Sequence, residues 1–194
     1  AILTATVKAA EPYGVPVTMK TRIGIDDDHV TFLDAGRIAG EAGCAAIALH
    51  GRTVKQAYGG EADWSRIAEL VAAVDIPVLG NGDIWEASDA LEMIRRTGCA
   101  GVVIGRGCLG RPWLFRDLAA AFAGEPAPAL PNLGEVAAMV YRHAELLADL
   151  EGETHGLRDL RKHMAWYFKG FPIGGEVRRG LSMVDSLAQL AGLL

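Results

Sequence analysis

Four short segments of the chain end in residues able to do chemistry: Lys20, His50, Asn81 with Gly82 and Asp83, and Gly105 with Arg106. A lysine facing the pyrimidine edge of a flavin would stabilise negative charge developing on the reduced ring. A buried lysine with a depressed pKa would instead form a Schiff base with a carbonyl substrate. These residues alone leave both readings open. The last segment continues as Gly105-Arg106-Gly107-Cys108-Leu109-Gly110, which fits G-x-G-x-x-G. Glycines let backbone N–H groups approach a phosphate, and a helix N-terminus behind them adds positive potential. Arg106 or Arg111 supplies charge-assisted bonds. A dinucleotide fingerprint would need a second strand ending in an acidic residue about 20 positions on. A proline-rich run stands there instead, so a simple phosphate site suits the pattern better.

A second concentration of chemistry lies near the C-terminus. Between His155 and Gly180 there are six basic residues, Arg158, Arg161, Lys162, Lys169, Arg178 and Arg179, against two acids, Asp159 and Glu176. The net charge of the whole chain is −5, so the rest of it is acidic. Arg158, Arg161 and Lys162 stand at i, i+3 and i+4 and share one helix face. Such a face suits a phosphate backbone, read without regard to base sequence. Trp166, Tyr167 and Phe168 are interleaved, and the expectation for them is a small helical core.

The elements that must position these groups alternate. Strands are expected at residues 16–20, 46–50, 77–81 and 101–105, each nearly continuously apolar, as in a parallel sheet covered on both faces. Helical spacing follows each one, over residues 30–42, 64–74, 87–97 and 112–123. Asp63 is a candidate N-cap, and Gly43 and Gly98 are candidate stops. The strand repeat of about 24 to 31 residues matches one βα unit of an eight-fold barrel. A doubly wound open sheet is the competing topology. Ligands bind at the carboxyl ends of parallel strands in both, which is where the four polar segments fall. Residues 125–132 are a proline-rich linker. Beyond it, helices are expected at about 134–150, 156–169 and 176–191, with no strand.

The blocks Met19-Lys20-Thr21-Arg22-Ile23-Gly24, His50-Gly51-Arg52-Thr53 leading to Ala62-Asp63-Trp64, Gly80-Asn81-Gly82-Asp83-Ile84, and Gly105-Arg106-Gly107 with Pro112-Trp113 resemble tRNA-dihydrouridine synthases, most closely the bacterial B type. The resemblance covers nearly the whole chain. It implies an α/β fold: the C-terminal half of a TIM (β/α)8 barrel, about four βα units, followed by a small all-helical domain. Residues 1–124 would then be a partial barrel that binds FMN, and residues 133–194 a helical tRNA-binding domain. Lys20 and His50 would face the flavin, while Asn81, Gly82, Asp83, Gly105 and Arg106 would hold its ribityl phosphate. Arg52, with Arg158, Arg161, Lys162, Lys169, Arg178 and Arg179, would contact tRNA. The family reduces a uridine C5–C6 double bond: NADPH reduces FMN, the flavin N5 delivers hydride to C6, and a cysteine protonates C5. That cysteine lies in an Asn-x-Gly-Cys-Pro motif, which this chain lacks. The chain opens at Ala1 in a helical pattern and reads as a fragment or processed product. It is therefore expected to be inactive alone, and an open half-barrel invites self-association through its strand edges. Another barrel FMN oxidoreductase, a phosphate-binding lyase and a non-catalytic RNA-binding fragment are the competing functions.

Composition agrees with a folded chain of 194 residues: 51% of residues are hydrophobic and 22% charged. No apolar run approaches the ~18 residues of a membrane span. Cys44, Cys99 and Cys108 form no CxxC pair and are read as packing residues. With no secretory signal in view, a reducing cytoplasm is expected.

Overall fold

The run Ala-Ile-Ala-Leu-His at β2 (Ala46–His50) is apolar up to its last residue, and every residue after the first is buried. Strands covered on both faces need this composition. In a computed structural model describing residues 1–194, β2 pairs in parallel with β1 (Thr18–Arg22) and β3 (Val78–Asn81), and β3 with β4 (Gly101–Val103). The strand order is β1-β2-β3-β4. It lacks the reversal that defines a doubly wound sheet. β1 and β4 form the two edges.

Two compact units make up the chain, Ala1–Gly107 and Cys108–Leu194. The division falls ahead of the proline-rich linker, so the helix before the linker belongs to the second unit. In the first unit, α1 (Ile2–Ala10) precedes β1, and α2 (Phe32–Glu41), α3 (Trp64–Ala73) and α4 (Ala87–Thr97) follow β1, β2 and β3. Asp63 caps α3, its Oδ1 accepting from the Ser65 N–H at 2.9 Å. A capping box of Glu86 and Asp89 opens α4, and Gly98 closes it. These caps fix where α3 and α4 begin, and hence the lengths of the loops after β2 and β3. Phe32, Ile47, Leu49, Ile67, Leu70 and Met93 are fully buried. Each contributes about 1.5–3 kcal/mol by leaving water. Cys44 and Cys99 are buried too.

The second unit is helical: α5 (Leu114–Ala123), α6 (Leu133–Glu151), α7 (Glu153–Tyr167), α8 (Gly175–Leu181) and α9 (Leu187–Leu193). Val136, Val140 and Ala144 recur every fourth residue on α6 and join Leu157, Leu160 and Met164 of α7 in one core, with Tyr167, Phe168, Leu181 and Leu190. Trp166 departs from the expected core role and is 42% exposed. The expected helix at 176–191 is two short helices. The carbonyls of Met183 and Val184 accept from Arg161 at 2.8 and 2.7 Å, and the Leu187 N–H donates to Glu153. Groups that would have closed helical turns are thus bonded to α7, and Ser186 starts a new helix as its N-cap. No helix is long and apolar enough to cross a membrane.

Candidate functional site

The last residues of the four strands form one row across the sheet: Arg22 opposite His50, His50 opposite Asn81, and Asn81 opposite Val103. Side chains alternate along a strand, so Lys20 shares the face of Arg22 two residues earlier. β1 thus runs past its expected end, and Arg22 rather than Lys20 stands level with His50. Lys20, His50, Asn81, Gly82, Asp83, Gly105 and Arg106 all line one cavity of about 250 Å³ at this edge. Arg22, Arg52, Tyr58 and Trp85 add polar and aromatic groups to its wall. A wider hollow of about 840 Å³ adjoins it and shares Arg52, Tyr58, Asp83, Trp85 and Arg106.

The loops after β2 and β3 are tied together. Arg52 is 1% exposed. Its Nε donates to the Gly59 carbonyl at 3.0 Å and its Nη2 to the Gly60 carbonyl at 2.6 Å. The same Nη2 donates to both carboxylate oxygens of Asp83, at 2.8 and 2.7 Å. The Ala62 N–H donates to Asp83 Oδ2 at 2.7 Å. These bonds hold Asp83 at φ +53°, a conformation that residues other than glycine adopt uncommonly. Beside it, Gly82 has φ +124°, and its carbonyl accepts from Trp64 Nε1 at 3.0 Å. A Cβ at Gly82 would stand 2.6 Å from the Ala62 Cβ and 3.1 Å from the His50 ring, so the turn beside the histidine leaves no room for a side chain. Asn81 Nδ2 donates to the Val103 carbonyl at 2.7 Å and locks β3 to β4.

At β4 the chain turns through Gly105 and Arg106. Nothing lies where a Cβ of Gly105 would point, whereas one at Gly107 would run into the Ile84 carbonyl oxygen. The Arg106 guanidinium stacks over the Tyr58 ring, 4.4 Å from its centroid, with Trp85 on another side at 5.4 Å. Arg106 also stands 3.8 Å from Asp83. Arg22 donates to the carbonyls of Thr53 and Ala57 at 2.9 and 3.0 Å.

Positive charge dominates the cavity. Lys20, Arg22, Arg52 and Arg106 line it against one carboxylate, Asp83. Burial pushes His50 down to about 4, with Arg22, Lys20 and Arg52 adding to the fall and Asp83 opposing it. The imidazole is therefore neutral at pH 7. Burial, then Arg22, lowers Lys20 as well. Such a site favours an anion, and a phosphate-bearing planar cofactor fits it: open space above Gly105, a stacked guanidinium at Arg106, and neutral His50 beside cationic Lys20.

Two expected roles change in this geometry. Arg52 is buried and bonded to the loops, so it presents no guanidinium to RNA. Asp83 holds Arg52 and the Ala62 N–H, and its negative charge would repel a phosphate rather than bind one. Arg22, Tyr58 and Trp85 line the cavity without having been assigned a cofactor role from sequence. The alternation Lys20, Arg22 was a signal for the first, but the stacking of the two rings on Arg106 has no local pattern.

The six basic residues between His155 and Gly180 are not equivalent. Arg161 bonds the carbonyls of Met183 and Val184, and Arg178 bonds those of Phe171 and Phe168. Lys162 pairs with Asp159 at 2.8 Å. Arg158, Lys169 and Arg179 are exposed.

The sequence profile described as "Dihydrouridine synthase (Dus)" matches residues 1–192. The chain belongs to the dihydrouridine synthase family. It is 61% identical over 194 residues to "Probable tRNA-dihydrouridine synthase" of Mycobacterium leprae (strain TN), covering 100% of this chain and 50% of that protein. It is 42% identical over 192 residues to "tRNA-dihydrouridine synthase B" of Xanthomonas axonopodis pv. citri (strain 306), covering 98% and 57%. The chain thus spans about half the length of the curated relatives it matches. A solved mandelate oxidase variant overlaps 98% of this chain and 64% of its own at 20% identity and a TM-score of 0.37.

Proposed function

We propose that this dihydrouridine synthase chain is the cofactor-holding half of a TIM-barrel enzyme joined to a helical tRNA-binding domain. The whole protein would reduce a uridine C5–C6 bond in cytoplasmic tRNA, with FMN as cofactor and NADPH as reductant. The observation that carries this reading is the electropositive cavity at the carboxyl edge of the sheet, lined by all seven residues expected there. Gly105 and Arg106 would receive the cofactor phosphate, Lys20 and His50 the ring, and Asn81, Gly82 and Asp83 the fixed wall between them. Bound flavin supplies the hydride, and Lys20 supplies a cation at the ring edge. The chain has no Asn-x-Gly-Cys-Pro motif, so the proton donor of the family is not within these residues.

Titration of the purified chain with FMN, followed by quenching of flavin fluorescence, tests the reading. Saturable one-site quenching is expected, with no dihydrouridine formed from tRNA and NADPH by the chain alone. Absence of quenching removes the cofactor assignment, and turnover removes the half-enzyme reading. Strand edges β1 and β4 are open to a second copy, so the same samples would show concentration-dependent mass in sedimentation equilibrium. A monomer at every concentration removes that part.

A further inference from the structure

We propose that Arg52 is a positioning residue: it sets the loops after β2 and β3 against each other and so places His50 and Arg106. The inference rests on the reading of the cavity as the cofactor site. One buried guanidinium reaches three anchor points. Two, the carbonyls of Gly59 and Gly60, follow directly after Tyr58. Tyr58 is the ring on which Arg106 stacks at 4.4 Å and over which Arg22 lies at 5.9 Å. The third is Asp83, bonded through both oxygens. Asp83 holds the left-handed turn that sets Gly82 beside His50, so close that a side chain there would come within 3.1 Å of the ring, and it approaches Arg106 at 3.8 Å. The Arg52 guanidinium bonds neither His50 nor Arg106, and only the backbone Arg52 N–H donates to the His50 carbonyl, at 2.8 Å. The turn beside His50 and the ring under Arg106 hang from the bonds of that guanidinium.

A residue that only stabilised the fold would not need this arrangement. Arg52 Nη1 is buried without a hydrogen-bond partner, and the turn at Asp83 carries strain. Burying an incompletely bonded cation and straining a backbone both oppose stability. What the arrangement secures is the relative position of the loops after β2 and β3. A lysine at position 52 keeps the charge but loses the planar fork that spans two loops.

The test uses Arg52→Lys in the 194-residue chain. One readout is the NMR titration of the His50 ring without cofactor, and the other is FMN affinity by fluorescence quenching. Arg52→Lys preserves the Coulombic push on His50, so any change reports packing. We expect the His50 titration to rise toward its ordinary value by about one pH unit as the ring regains water. FMN affinity should fall about tenfold. Asp83→Asn is the second variant, used also if circular dichroism shows Arg52→Lys unfolded. Loss of the Asp83 charge alone would lower the His50 titration, because that carboxylate raises it. A rise there reports the loosened turn. The double variant should lose no more affinity than either single one. A lower melting temperature with the His50 titration and FMN affinity both unchanged overturns the proposal. If the parent chain fails to bind FMN, the cofactor reading falls, and the His50 titration still decides the role of Arg52.

Discussion

Arg106 is held from three sides before any ligand arrives. Tyr58 and Trp85 stack on its guanidinium, and Asp83 stands 3.8 Å away, beyond hydrogen-bond range. The group is oriented without having its donors filled by that carboxylate. A side chain ordered in advance loses little further freedom on binding, so its charge-assisted bonds to a phosphate act nearly at full strength. Arg106→Ala should therefore weaken FMN binding by about 1.5–3 kcal/mol, or at least tenfold. Arg106→Lys should recover only part, because an ammonium lacks the planar fork and the stack. Quenching titrations of the three proteins at equal ionic strength measure this. Equal affinities for the parent and Arg106→Ala would move the phosphate away from Gly105.

Among the elements, those whose boundaries depend on neighbours in sequence were legible in advance. β2 ends at His50 because the apolar run ends there, and α3 begins after Asp63 because that carboxylate bonds the Ser65 N–H two residues on. Elements set by distant partners were not. β1 extends to Arg22, whose side chain bonds Thr53 and Ala57 more than thirty positions away. The break between α8 and α9 depends on Arg161, on another helix. The cavity followed the same rule: its strand-end residues were visible, whereas Tyr58 and Trp85 enter it through loop geometry. The α6–α7 pair carries a consequence of this kind for pH. His143 lies 3.1 Å from the Tyr167 hydroxyl and 5.2 Å, ring to ring, from His163, with Asp159 and Lys162 nearby. Burial first, then nearby positive charge (His163 on His143, Lys162 on His163), holds both imidazoles below 6.5. The unfolded chain therefore takes up protons that the folded chain refuses. Their contribution to stability is complete above pH 6.5 and is lost as pH falls through the folded-state values. His50 acts in the same direction, down to about 4. Asp26, Glu92 and Asp159 are held below their ordinary values and titrate beneath this window. Melting temperature should drop between pH 7 and pH 5, and His143→Gln should drop less. A variant with the parent's pH profile would show that the histidine pair does not contribute.

At the scale of the whole molecule, charge is divided between tasks. The chain carries −5 overall, yet six of its 19 basic residues crowd between His155 and Gly180. Arg161 and Arg178 are staples within the helical unit, and Lys162 is paired with Asp159. Reversing Arg161 would strip Met183 and Val184 of their donors, and a loss of RNA binding would then report unfolding. Arg158, Lys169 and Arg179 are exposed and anchor no other element, so they test a polyanion surface cleanly. We expect Arg158→Glu, Lys169→Glu and Arg179→Glu together to leave the melting temperature within about 2 °C, since surface changes of this kind move stability little. The triple variant should bind tRNA more weakly. The slope of log affinity against log salt should also shrink by about one for each phosphate that is no longer neutralised. Filter binding across a salt series reads both quantities. Weaker binding at an unchanged slope would mean that these residues act through the fold rather than on phosphates. Unchanged affinity would move the RNA surface away from these three residues, leaving the concentration of basic residues there to the staples alone.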